Sequence, residues 1–111
     1  MASKTVTILR GMAASAGQVK GKVQVIISPE EIDKISEGDI LVTVMTSPLF
    51  VPAMIKAAAI VTDIGGQLSH AAIVSREFGI PCVVGTKKAT IILKDGMEVV
   101  VDGTNGLINR P

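Results

Sequence analysis

The chain has 111 residues, 48% of them apolar, with 11 Lys and Arg against 10 Asp and Glu. That length suits one domain with a modest core, and so small a net charge, with no cluster of Lys or Arg and only Phe50 and Phe78 as aromatics, excludes the basic, base-stacking footprint of a nucleic-acid binder. A single cysteine cannot form an internal disulfide, and no apolar run approaches the roughly 18 residues of a spanning helix, so the expectation is a cytoplasmic domain over residues 1–111 with no membrane partner.

Val6–Leu9 and Lys22–Ile27 are rich in β-branched residues and predict strands. Between them Gly11, Gly17 and Gly21 punctuate a run of small residues that reads as a loop. Ser28-Pro29-Glu30-Glu31 predicts a helix start, with Ser28 as cap, Pro29 at the first helical position and Glu31 completing a capping box; the helix stops by Gly38. Asp39–Met45 predicts a strand ended by Thr46-Ser47-Pro48, and Pro52–Ala58 a helix with Met54, Ile55 and Ala58 on its apolar side. Ala59–Thr62 reads as a buried strand, and Ser69–Phe78 as a helix closed by Gly79 and Pro81. Pro81–Val84 is another strand. Ile91–Leu93 and Met97–Asp102 flank Lys94-Asp95-Gly96 as a hairpin, and Leu107–Asn109 follows a turn at Gly103–Gly106. Several short strands and about three helices around one core place the chain in the α/β class.

The chemistry concentrates between Thr62 and Val74, where a strand runs through Gly65-Gly66 into a helix that starts at the sole histidine, His70. Each part suits a phosphoryl group. Paired glycines bring backbone amides close to an anion, and a helix start offers unpaired N–H groups and the positive end of its dipole. Ser69 can cap the helix or donate to a phosphate oxygen. Ala71 and Ala72 keep the surface around His70 low, so that another active site can close over it. Neutral imidazole is nucleophilic near physiological pH, which suits a reversible carrier. On spacing alone His70 reads equally as a structural or an exposed histidine, and Gly65, Gly66 and Ser69 as a mere turn and cap. Thr62 and Asp63 either orient the imidazole or simply end the strand, and Arg76 either serves phosphate or a partner or is solvated. Cys82, in an apolar strand, reads as an inert buried thiol. One His and one Cys exclude a zinc site, so no metal site is expected.

The run from Gly65 to Gly85, GGQLSHAAIVSREFGIPCVVG, closely resembles the phosphohistidine signature of the phosphoenolpyruvate-utilising enzymes, of the phosphoenolpyruvate synthase, pyruvate phosphate dikinase and enzyme I type. The likeness extends to Gly38–Val42, Val51–Met54, Asp95-Gly96 and Val101–Gly103, and so covers most of the chain. It departs at Ala14-Ser15-Ala16-Gly17, where many relatives place proline before the glycine. The resemblance implies the swivelling mobile domain of that family, a single β/β/α unit. It implies that His70 accepts a phosphoryl group at one catalytic domain and delivers it at another. The partners it implies are an ATP-grasp-like nucleotide domain and a barrel handling pyruvate and phosphoenolpyruvate (PEP), as domains or subunits. Mg with ATP or PEP belongs to those partners and no cofactor to this chain, which lacks a glycine-rich ATP loop and room for a barrel. Two other readings remain: a non-catalytic docking or regulatory module with the same fold, and a generic small-anion binder using the diglycine turn.

Overall fold

The computed structural model describes residues 5–111. Its strands are β1 (Thr7–Arg10), β2 (Met12–Ser15), β3 (Gln18–Val25), β4 (Ile40–Thr43), β5 (Ala59–Thr62), β6 (Cys82–Val84), β7 (Glu98–Asp102) and β8 (Leu107–Asn109). Three helices, α1 (Val51–Lys56), α2 (His70–Phe78) and α3 (Ala89–Ile92), and 3-10 turns at Pro29–Lys34 and Pro48–Phe50 complete it. The strands lie in the order β1-β8-β7-β3-β4-β5-β6-β2. β3 through β6 are parallel, and every other pairing is antiparallel.

β4, β5 and β6 are buried along their whole length, as expected of parallel strands covered on both faces. Alternate residues therefore enter two cores. Leu41, Ile60, Cys82 and Val84 meet Met54, Ala53, Ala71 and Ala72 of α1 and α2. Ile40, Val42, Ala59, Val61 and Val83 meet Val99, Val101 and Ile108 of β7 and β8, with Ala89 of α3 and Leu93 just after it. The architecture is thus the β/β/α layering that the family resemblance implies. β3 joins the two halves of the sheet, pairing with β7 over Gln18–Lys22 and with β4 over Val23–Val25.

β1 and β2 stand at opposite ends of the strand order, yet only Gly11 separates them along the chain. A Cβ at Gly11 would lie 2.6 Å from the Val84 carbonyl oxygen, so the chain passes this close to the end of β6 because no side chain intervenes.

Four readings from sequence need correction. The small-residue stretch after Gly11 is not a loop: β2 pairs with β6, Met12 opposite Val84 and Ala13 opposite Val83. Long-range pairing overrides the weak β-propensity of Ala and Ser. β3 starts at Gln18 rather than Lys22, because its polar first half alternates exposed and half-buried positions against β7. The capping box at Ser28 and Glu31 forms, but on a 3-10 turn that is already extended again at Ile35. Finally, Ile91–Leu93 belongs to no hairpin. Residues 89–92 form α3, with Ala89 and Leu93 buried one turn apart and Ile91 exposed. The Lys94–Met97 turn instead secures β3, with Asp95 accepting the Val25 N–H at 2.7 Å and Val23 accepting the Gly96 N–H at 2.9 Å.

Among the described residues, no helix is long and apolar enough to cross a membrane.

Candidate functional site

Parallel strands bring their C-terminal ends to one edge, where ligands of open α/β sheets bind. At that edge the loops after β4, β5 and β6 meet. The β4–β5 ladder continues past the strands, Asp63 N–H donating to Thr43 O at 3.1 Å and Ile64 N–H to Val44 O at 2.9 Å. This extension holds the loop carrying Thr46 beside the loop carrying His70. The β6 loop braces both, since the Thr86 N–H and hydroxyl donate to Thr62 O at 3.1 and 2.9 Å, and the Lys87 N–H to Asp63 O at 2.9 Å.

His70 is the first residue of α2 and half-buried. Ser69 caps the helix: its hydroxyl accepts the Ala72 N–H at 3.4 Å and donates to Gly66 O at 2.8 Å. The remaining first-turn N–H groups have no helical acceptor, which favours an anion there. The imidazole Nδ1 lies 2.7 Å from the hydroxyl of buried Thr46. That bond occupies Nδ1; in the tautomer where Nδ1–H donates to the hydroxyl, Nε2 keeps its lone pair. Met45, Thr46, Ile64, Gly65, Ser69, His70 and Ala71 line a cavity of about 250 Å³, room for several waters at ~30 Å³ each. Met45 and Ile64 are each 57% exposed and neighbouring Leu68 is 86% exposed, giving the surroundings of His70 an unusually apolar surface.

The two glycines differ. Gly65 has φ +138°, and a Cβ there would meet the Ser69 hydroxyl at 3.0 Å. Gly66 has no such backbone, and a Cβ on it would meet nothing within 4 Å. Only Gly65 is demanded by the loop itself, while the side of Gly66 stays open.

The structure brings Gly65, Ser69 and His70 together but gives the other candidates different work. The hydroxyl of Thr62 donates to Ile64 O at 2.8 Å, within the loop. Asp63 does not orient the imidazole. Its carboxylate takes the Thr90 N–H at 2.9 Å and hydroxyl at 2.5 Å, anchoring the start of α3. Arg76 does not line the cavity beside His70 but is engaged elsewhere: Nε donates to Ala14 O at 2.8 Å and Nη2 to Gln67. Thr46, which does touch the imidazole, passed in the sequence as the end of a strand. Its only signal is a hydroxyl a few residues past the apolar run Ile40–Val42. Among the described residues, no group of three or more His, Cys, Asp or Glu is placed to hold a metal ion.

A family model described as PEP-utilising enzyme, mobile domain, matches residues 35–106. A phosphoenolpyruvate synthase of Pyrococcus furiosus is 67% identical over 103 residues, 93% of this chain and 13% of that protein. A probable phosphoenolpyruvate synthase of Archaeoglobus fulgidus is 63% identical over 91% of this chain and 13% of its own length. The chain thus spans about an eighth of these relatives. Among solved structures, an Enzyme I (nEIt) protein matches with a TM-score of 0.62 and 31% identity over 72% of this chain and 34% of that one. Thermococcus kodakaraensis aconitase X, at 22% identity and a TM-score of 0.67 over 91% of this chain and 95% of its own, shares the fold.

Proposed function

Because the chain belongs to the family of PEP-utilising enzyme mobile domains, we propose that it is a phosphocarrier whose acceptor atom is Nε2 of His70. The bond of Nδ1 to Thr46 carries this reading. With Nδ1–H donated to the threonine hydroxyl, the Nε2 lone pair is free to attack phosphorus. The Nε2–P bond forms as the P–O bond to the leaving group breaks, and the leaving oxygen keeps the electron pair. The imidazole then holds positive charge, and the proton stays on Nδ1, donated to the Thr46 hydroxyl oxygen. In the return step the acceptor oxygen attacks phosphorus and the Nε2–P bond breaks, restoring the same tautomer with no proton moved on Nδ1.

Both half-reactions take place on partners. ATP or PEP, with Mg, is held there, on an ATP-grasp-like nucleotide domain and a pyruvate/PEP barrel, between which this domain swivels. The difference in length from the relatives supports such partners. Exposed Met45, Ile64 and Leu68 support a closing role, since apolar side chains around the histidine would exclude water from the reacting phosphoryl group.

The test is intact mass after incubation with Pyrococcus furiosus phosphoenolpyruvate synthase and either ATP or PEP. One added phosphoryl group on the wild type and none on His70→Ala is expected. An unchanged mass beside a demonstrably active partner would sink the proposal.

A further inference from the structure

Arg76 lies two turns along α2, and its side chain leans back toward the helix start, as long helical side chains do. Nε donates to Ala14 O of β2 at 2.8 Å, and Nη2 donates to both Gln67 O at 2.5 Å and Gln67 Oε1 at 2.7 Å. The Gln67 amide closes the circuit by donating Nε2–H to Ala13 O at 2.9 Å. Two side chains thereby tie together β2, the 65–69 loop and the body of α2. Three of the five guanidinium N–H groups are spent on these neutral oxygens. Arg76 does not line the cavity beside His70.

We propose that Arg76 is a positioning residue for His70, acting through the Gln67 carbonyl rather than on phosphate. This rests on the reading of His70 as the phosphoryl acceptor. The peptide unit is planar and trans, so fixing the Gln67 carbonyl also fixes the Leu68 N–H on the opposite side of the chain. The next residues are the Ser69 cap and His70. The two preceding them are glycines, one at φ +138° and one with open space on its Cβ side, and the loop's own ties are the Ser69 N–H and hydroxyl on Gly66 O, at 3.1 and 2.8 Å, so the Gln67 peptide between them relies on the clamp. Without the clamp it would have to be ordered at each transfer, and ordering before reaction is a large part of what a fixed site contributes. The geometry needs Nε and Nη2 on one planar fork. A lysine supplies the same charge but only one nitrogen.

The clamp is tested with a small phosphoryl donor, potassium phosphoramidate, which needs no partner. The donor's P–N bond breaks as the Nε2–P bond forms, and ammonia leaves. Uptake is followed by intact mass, and backbone amides by two-dimensional 15N–1H NMR. Arg76→Lys and Arg76→Met are expected to slow uptake by about 3- to 10-fold, a modest figure because water competes for these exposed contacts. Gln67→Ala should fall between them and the wild type. Amide shifts should change at residues 65–70 and 13–14 while Tm holds. Uptake by Arg76→Lys at the wild-type rate would overturn the clamp, because charge alone would then suffice. Unchanged amides at 65–70 in Arg76→Lys would overturn it as well, whatever the uptake. If the wild type takes up no phosphoryl group, the acceptor reading fails, and the amide shifts still decide the clamp. Should the Arg76 variants not fold, Gln67→Ala decides, since it removes two of the four contacts while Arg76 stays in place.

Discussion

Replacing Thr46 by valine keeps the shape of a buried side chain and removes one hydroxyl, the partner of Nδ1 at 2.7 Å. Only the change in strength of that bond during reaction affects the rate. With neutral imidazole it contributes about 1 kcal/mol net. Once Nε2 carries phosphorus, Nδ1–H becomes a cationic donor, and such bonds contribute roughly 1.5–3 kcal/mol. The difference, about 0.5–2 kcal/mol, slows phosphoryl uptake by about 2- to 30-fold at 1.36 kcal/mol per decade. His70 is half-buried, so water can partly replace the hydroxyl, and the lower part of that range is the better expectation. Uptake from phosphoramidate gives the rate, and imidazole 15N shifts report which nitrogen holds the proton. Thr46→Val should move proton density from Nδ1 toward Nε2, and Thr46→Ser should restore most of the rate. A Thr46→Val protein with wild-type uptake and unchanged ring shifts would refute the role of Thr46.

The glycine pair separates stability from chemistry. Gly65→Ala should cost about 1–3 kcal/mol through its positive φ and its contact with Ser69, lowering Tm by several degrees. Gly66→Ala should leave stability within about 0.5 kcal/mol, because its Cβ meets nothing within 4 Å, so that any effect it has falls on uptake. Equal thermal effects of the two would contradict this assignment. Burial pushes the Cys82 thiol up to about 11, so a disulfide reagent at pH 8 should label it only after denaturation; rapid labelling of the folded protein would show the strand to be open. The Asn105 side-chain amide and the backbone amides of its turn hold the Asp102 carboxyl below its ordinary value. Its stabilising effect is therefore present above the unfolded carboxylate value of about 3.9 and is lost as pH falls through the lower folded one. Asn105→Ala should accordingly melt below the wild type at pH 7 and converge with it in strong acid, as melting curves across that range would reveal.

What the sequence disclosed was local. Ser69 as cap and Gly79 as left-handed C-terminus are decided within one helix, and both are found in place. The capping box at Ser28 and Glu31 is equally local, though six residues make a 3-10 turn and not an α-helix. The missed features depend on strand pairing. Thr46 reaches His70 across 24 residues, and only the parallel alignment of β4 with β5 brings the two together. Asp63 caps α3 across 27 residues, and Arg76 meets Ala14 across 62. The small residues of β2 carry no strand signal of their own, and their strand character comes from β6 beside them. The Ala89 and Leu93 pair, four apart and fully buried, was a helical signal in plain view. The Asp95-Gly96 pair that follows is the stronger local signal, and it speaks only for the turn it makes.

The junction of β1 and β2 at Gly11 bears on how such a domain behaves in company. A sheet with long outer strands offers its unpaired N–H and C=O groups to any passing chain, and that is a route to misassociation. Here the two outermost strands have four residues each and are consecutive stretches of one polypeptide, so the sheet curls round until its margins are neighbours. Margins this short offer a foreign strand few groups to pair with. Under the proposed function, selectivity toward partners then falls to exposed side chains such as Leu68 and Met45.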